Sequence, residues 1–168
     1  DTLYGGSGSD VINGGNGADV IYGDSYESSS SFDSKGMEAF VPGDDLLVGG
    51  NGPDKFTYLQ RTDSEYIAGA PGSFAGKDDI WGNAATEKWD YIKDFQSGLD
   101  KIDFSHLARN VGAPDGTFKW FSQTTTDLGA VTSGGTASQR AWAVWQDTSK
   151  SFIYVDTTGD GLADMKIQ

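Results

Sequence analysis

Glycine and aspartate recur at a fixed interval in this chain, in a pattern suited to holding a hard cation. Gly5-Gly6-Ser7-Gly8-Ser9-Asp10-Val11-Ile12-Asn13 runs directly into Gly14-Gly15-Asn16-Gly17-Ala18-Asp19-Val20-Ile21-Tyr22. Both segments read G-G-x-G-x-D-x-U-x, where U is a large apolar residue. Glycine tolerates backbone conformations closed to other residues, so a glycine-rich turn can direct its carbonyl oxygens inward. The aspartate adds a charged oxygen. Calcium takes roughly six to eight oxygen ligands at about 2.3–2.6 Å, and carbonyls with carboxylates supply them.

These turns must be positioned by strands. The six residues G-G-x-G-x-D form a turn, and x-U-x forms a short strand with U pointing inward. Two repeats then make one coil of a flattened parallel helix, and turns two repeats apart stack. Asp1 and Asp19 are related in this way. Asp1-Thr2-Leu3-Tyr4 fits the last four positions of a preceding repeat, so the chain is expected to be a piece of something longer. The frame breaks over about 24–42, around Ser28-Ser29-Ser30-Ser31, which is read as an inserted loop. It resumes at Gly43-Asp44-Asp45-Leu46-Leu47-Val48, and Gly49-Gly50-Asn51-Gly52-Pro53-Asp54-Lys55-Phe56-Thr57 is a complete copy. A second insertion is expected over about 59–75. Gly76-Lys77-Asp78-Asp79-Ile80-Trp81 and Gly98-Leu99-Asp100-Lys101-Ile102-Asp103 fit positions four to nine again. One such copy would be an ordinary turn; tandem copies in register are a repeat architecture.

Over roughly residues 1–57 the sequence resembles the RTX calcium-binding family, whose nonapeptide builds a parallel β-roll. The resemblance implies calcium held by the repeat aspartates and by the carbonyls of the glycine turns. It points to Asp10, Asp19 and Asp54, with Gly5, Gly8, Gly14, Gly17, Gly49 and Gly52. The partial copies add Asp1, Asp45, Asp78 and Asp100, with Gly43 and Gly76.

The segment from Trp89 to Leu107 resembles the one that closes the C-terminal domain of serralysin-type secreted metalloproteases, and related segments occur in the R-modules of mannuronan epimerases. Its alternation predicts a strand over 91–95, a turn at Gly98 and a strand over 101–104, with a short helical turn near 105–110. Residues 117–168 read as antiparallel β, with strands at 118–120, 141–145 and 151–155. They are expected to cap the open coil, as solenoids require. The expected fold is therefore all-β: a parallel roll over 1–104 and an antiparallel capping region over 105–168 of the same domain. Asp156-Thr157-Thr158-Gly159-Asp160-Gly161 has the ligand spacing of an EF-hand loop, but Ile167 stands where the bidentate Glu belongs. A hairpin turn is the stronger reading there.

Composition narrows the function. The 168 residues carry a net charge of −13, and Asp outnumbers Glu 21 to 4. So acidic a chain is unsuited to nucleic-acid phosphates. No apolar run is long enough to span a membrane as a helix. Absent cysteine excludes disulfides and thiol chemistry, and the single histidine, His106, excludes a two-histidine zinc site. There is no G-x-S-x-G elbow and no P-loop. Any catalytic domain is expected outside this chain.

The resemblance implies a calcium-binding C-terminal module of a secreted bacterial protein. Such a module folds in extracellular calcium, supports export by type I secretion machinery and stabilises an upstream domain of the same polypeptide. The alternative is a carbohydrate-binding or adhesive module. In that reading Trp81, Trp89, Trp120, Trp142 and Trp145 form a platform for a polyanionic, alginate-like polysaccharide, although packing of a core and cap is the plainer role for them.

Overall fold

Short strands separated by glycine turns cannot pair with their sequence neighbours in one sheet, so each pairs with the strand two repeats away. In the computed structural model, β1 (Thr2–Gly6), β3 (Val20–Asp24), β5 (Lys55–Thr57) and β7 (Lys101–Asp103) form a four-stranded parallel sheet in that order. A second parallel sheet holds β2 (Val11–Asn16), β4 (Leu46–Asn51) and β6 (Tyr91–Ile92). The structure describes residues 1–6, 8–24, 43–59, 61–64, 89–110, 112, 118–124, 141–146, 151–157 and 165–168.

The register follows the nonapeptide frame. Leu3 aligns with Ile21, Ile21 with Phe56 and Phe56 with Ile102. On the facing sheet Ile12 aligns with Leu47 and Leu47 with Ile92. These are the U positions. Side chains alternate across a strand, so every U residue enters the space between the sheets. Ile12, Ile21, Leu47, Phe56 and Ile92 are buried, with Leu3 and Ile102 packed against them. The flanking x positions face outward, as at Tyr4 and Val11, which are exposed.

Asp24 closes β3 opposite Gly6 and therefore does not belong to the first insertion. Gly23 and Asp24 fill positions one and two of a repeat that Gly43, Asp44 and Asp45 complete. The interruption thus falls at position three. The neighbour of β4 is β6, led by Asp90, whereas Gly76 and Asp78 lie outside the described residues.

The C-terminal part seals the roll. The segment Ser105–Asn110 is the helix α1, with Leu107 buried and His106 exposed. A second four-stranded sheet has the order β11 (Met165–Ile167), β10 (Ser151–Asp156), β9 (Ala141–Gln146), β8 (Lys119–Thr124). Two of its pairings are antiparallel, as the sequence suggests, but β8 and β9 run parallel. The intervening residues 125–140 are long enough for the crossover that a parallel pair needs. Strands β10 and β11 pair antiparallel, and residues 158–164 of the EF-hand-like segment between them lie outside those described.

The last strand joins the roll directly. Asp90 bridges Ile167 in parallel, Ile92 N–H donates to the Gln168 carbonyl at 2.8 Å, and Gln168 N–H donates to that of Asp90 at 3.0 Å. Val155, Met165 and Ile167 share one apolar cluster with the U residues. Lys166 anchors the seam. Its ammonium lies 3.9 Å from the Trp89 ring centroid and 4.3 Å from that of Phe152, within cation–π range. Among the described residues no helix is long and apolar enough to cross a membrane.

Candidate cation-binding turns

The parallel register stacks the turns along two edges of the roll and aligns the sixth-position aspartates in columns. One column contains Asp10, Asp45 and Asp90. Asp10 N–H donates to Asp45 Oδ1 at 2.8 Å, and Asp45 N–H donates to Asp90 Oδ1 at 2.9 Å. The other contains Asp19, Asp54 and Asp100. Asp19 N–H donates to Asp54 Oδ1 and Asp54 N–H to Asp100 Oδ1, each at 3.0 Å. The backbone nitrogen of Asp1 continues this column, 2.7 Å from Asp19 Oδ1, while the Asp1 side chain is exposed. Asp45, Asp90, Asp54 and Asp100 thus each commit one oxygen to the backbone of the preceding coil.

The second oxygen is different. Oδ2 of Asp10, Asp19, Asp45, Asp54 and Asp90 is buried and has no hydrogen-bond partner. In each complete repeat it faces the first glycine of its own turn. A Cβ built on Gly14 would lie 2.7 Å from Asp19 Oδ2, and one on Gly5 would lie 2.8 Å from Asp10 Oδ2. Gly49 stands in the same relation to Asp54. The later glycines let successive turns approach closely: a Cβ on Gly43 would strike the Gly8 carbonyl, and one on Gly52 the Gly17 carbonyl. The predicted residues Gly5, Gly8, Gly14, Gly17, Gly43, Gly49 and Gly52 therefore do lie at stacked turns.

A buried carboxylate oxygen without a donor is costly, and several in one column are more so. Burial comes first among the causes, followed by neighbouring carboxylates. Together they push Asp45 up to about 7, and Asp90 well above the ordinary carboxylate range. Burial also raises Asp54, with Asp100, Asp19 and Asp94 adding to the effect against the Asp19 N–H, and burial raises Asp10. The Tyr58 hydroxyl, buried against Asp90, is raised as well. Asp103, outside both columns, behaves oppositely: burial works against it, but donors on Ser105 and the Lys55 ammonium at 3.3 Å lower it. Orphaned oxygens beside glycine turns fit a hard, oxygen-seeking ion, which would offset this charge. No three acidic side chains among the described residues converge as a self-sufficient metal cage. The turn carbonyls would have to complete the coordination.

Three features of these columns escaped the sequence frame. Asp90 completes a column, although Asp90-Tyr91-Ile92-Lys93 has the D-x-U-x signature that would have revealed it. Ser64 ends that column: its Oγ accepts the Asp90 N–H at 2.9 Å and donates to the Lys166 carbonyl. Asp94 and Gln96 end the other. The Asp94 carboxylate accepts the Gly49 and Gly50 N–H groups at 2.9 and 2.8 Å. Gln96 N–H donates to Asp100 Oδ2 at 2.7 Å, so the last aspartate has both oxygens engaged. Of the tryptophans expected to form an aromatic platform, Trp89 packs edge-on against Phe152, and the side chains of Trp120, Trp142 and Trp145 lie outside the described residues. Trp81 lies outside the described residues.

Comparison with known proteins agrees with this geometry. The description "RTX calcium-binding nonapeptide repeat (4 copies)" matches residues 1–25 and 42–57. No curated protein matches the chain. Among solved structures, the AlgE6R2 subunit of the Azotobacter vinelandii mannuronan C5-epimerase aligns with a TM-score of 0.50 and 22% identity, covering 99% of this chain and 76% of that one. The AlgE6R3 subunit aligns at a TM-score of 0.41 and 20% identity, over 99% and 68%, and adds no weight to the argument. The chain carries RTX calcium-binding nonapeptide repeats, wound into a β-roll of the R-module type.

Proposed function

We propose that this chain is a calcium-triggered folding module of a secreted protein. The observation that carries the reading is the pair of aspartate columns, with buried, partnerless Oδ2 atoms against glycine turns. Asp10, Asp45 and Asp90 on one edge, and Asp19 and Asp54 on the other, would supply the charged ligands. Turn carbonyls would supply the remainder. Asp1 and Asp100 contribute position in the column more than a ligand, since the Asp1 side chain is exposed and the Asp100 oxygens are engaged.

The mechanism follows from linkage. Without the ion, the columns repel and strands as short as Lys55–Thr57 bury little apolar surface against the ordering entropy. An ion that binds only the folded coil adds its binding free energy to folding. In low cytosolic calcium the chain would remain extended and fit for type I export. In extracellular calcium it would close into a stable end for an upstream domain. Catalysis, if the whole protein has any, would belong to that domain.

A calcium titration from EDTA, followed by circular dichroism with magnesium in parallel, tests the reading. A cooperative gain of β-signal specific to calcium is expected. A chain fully folded in EDTA and indifferent to calcium would refute it.

One observation favours a second role. On the outer face of the first sheet, Tyr4 and Tyr22 stack with centroids 4.7 Å apart and planes 11° from parallel. Lys55 and Lys101 lie paired on the next strands of that face. A stacked pair with Tyr4 exposed and Tyr22 half-buried, beside lysines, suits a polyanionic sugar chain. Chemical-shift changes at Tyr4 and Tyr22 on adding uronate oligomers to the calcium-loaded protein are expected. Unchanged spectra would discard this role.

A further inference from the structure

Three Asn-Gly pairs stand in the repeats: Asn13-Gly14, Asn16-Gly17 and Asn51-Gly52. Asparagine before glycine is prone to lose its side-chain nitrogen, because glycine has no side chain to obstruct attack by its backbone nitrogen. All three asparagines are exposed, so their accessibility does not separate them. The backbone does.

Asn13-Gly14 lies inside β2, with Asn13 aligned to Val48 of β4. That peptide is held extended, whereas ring closure needs the chain to turn. Asn16 and Asn51 each end a strand, enter a turn and align with one another. Asn51 Nδ2 donates to Asn16 Oδ1 at 3.0 Å. The glycines that follow both have positive φ, +119° at Gly17 and +130° at Gly52. Their amides differ. Gly17 N–H donates to the Asn51 carbonyl at 2.8 Å. Gly52 stands in the same place one coil on, but there the stack has ended. Asp94 takes the Gly49 and Gly50 amides, and Gln96 Nε2 donates to the Gly50 carbonyl at 3.2 Å. Among the described residues nothing accepts the Gly52 N–H.

We infer that Asn51-Gly52 is the deamidation site of the folded chain. The Gly52 nitrogen attacks Asn51 Cγ, the bond from Cγ to the side-chain nitrogen breaks, and the amide proton leaves with that nitrogen as ammonia. Water then opens the resulting succinimide at either carbonyl, giving aspartate or isoaspartate. Water is consumed and ammonia released, and nothing is oxidised or reduced. Gly17 cannot act likewise without giving up its bond to the Asn51 carbonyl. Conversion places a further negative charge on the edge that carries Asp19, Asp54 and Asp100. Isoaspartate also reroutes the backbone through the side chain, in a turn so close to its neighbour that a Cβ on Gly52 would strike the Gly17 carbonyl. The edge therefore ages from this turn.

The test is peptide mapping by mass spectrometry of the whole chain, held in mildly alkaline buffer with calcium and, in parallel, in urea with EDTA. Unfolded, the three pairs should convert at similar rates. Folded, Asn51 should convert faster than Asn16 by about 2- to 12-fold, the factor that one hydrogen bond contributes, and Asn13 should be slowest. An Asn51→Gln variant, whose longer side chain closes a larger ring more slowly, should lose most of the acidic product separated by ion exchange. Equal rates at the three pairs in calcium, or Asn13 or Asn16 leading, would overturn the inference. So would undiminished acidic product from Asn51→Gln.

Discussion

Replacing Asp54 by asparagine should act in opposite directions with and without calcium. Asp54 Oδ1 accepts the buried Asp19 N–H at 3.0 Å, and its Oδ2 is buried without a partner. Asparagine keeps an acceptor for the Asp19 amide, removes the buried charge and places an NH2 group beside the turn. In EDTA the variant should therefore be more stable than wild type, because repulsion from Asp19, Asp94 and Asp100 is relieved. In saturating calcium it should be less stable, because a charged ligand is lost. Alanine removes the acceptor as well and strands a buried N–H group, which costs about 1–3 kcal/mol. Asp54→Ala should thus fall below Asp54→Asn in both conditions, by about 5- to 150-fold in the folding equilibrium constant. Urea unfolding in calcium, and the residual β-signal by circular dichroism in EDTA, read these differences across the three proteins. Equal stability of the alanine and asparagine variants would refute the hydrogen-bonded column. An asparagine variant less stable than wild type in EDTA would refute the claim that the column is electrostatically strained.

Acidity should partly replace calcium. Burial, then Asp45 and Asp63, push Asp24 up to about 9, and Asp45 stands at about 7, both above an ordinary unfolded value of 3.8. The folded state then binds more protons than the unfolded one, so metal-free stability falls as pH rises from about 4 towards 9. Circular dichroism in EDTA should show β-structure increasing on acidification from pH 9 to 5, and a flat profile would contradict this. For the same reason calcium binding should release protons near pH 7, seen as a buffer-dependent calorimetric heat. Gly50→Ala should be far more damaging than Gly15→Ala. Both have φ of +97°, but only at Gly50 would the new Cβ strike backbone, the Gly15 carbonyl. The strain at Gly15 alone is about 1–2 kcal/mol, and equal melting temperatures would argue against close stacking of the turns. Lys166→Met should loosen the seam between roll and cap by about 1–2 kcal/mol. A changed near-UV signal from Trp89 is expected, and unchanged melting and spectra would show that the cation–π contacts contribute nothing.

The roll was legible in the sequence because its period is written twice in succession. Tandem copies at 5–22 fixed strand length, turn length and the inward face, and the pairing of Leu3 with Ile21 follows from that period alone. The register across the interruptions was harder to read. The strand beside β4 is Tyr91–Ile92, a short D-x-U-x copy without its glycines, and so harder to see than the complete copies. Asp24 was assigned to a loop because glycine is expected at position two, and only the three-dimensional pairing with Gly6 restores it to the strand. Ser64 carries no local signal at all. Its role as the terminal acceptor depends on two strands distant in sequence meeting beneath it. The parallel pairing of β8 and β9 was likewise invisible, since alternation identifies strands but not their direction.

The most direct test of the central claim is the position of the ions themselves. Crystals grown with calcium, and soaked with a lanthanide for anomalous scattering, would locate them. The account predicts anomalous peaks between stacked turns on both edges, within ligand distance of Asp19 or Asp54 on one and of Asp10 or Asp45 on the other. Peaks confined to the cap or to exposed surface acids, with the columns bridged only by protein hydrogen bonds, would contradict it.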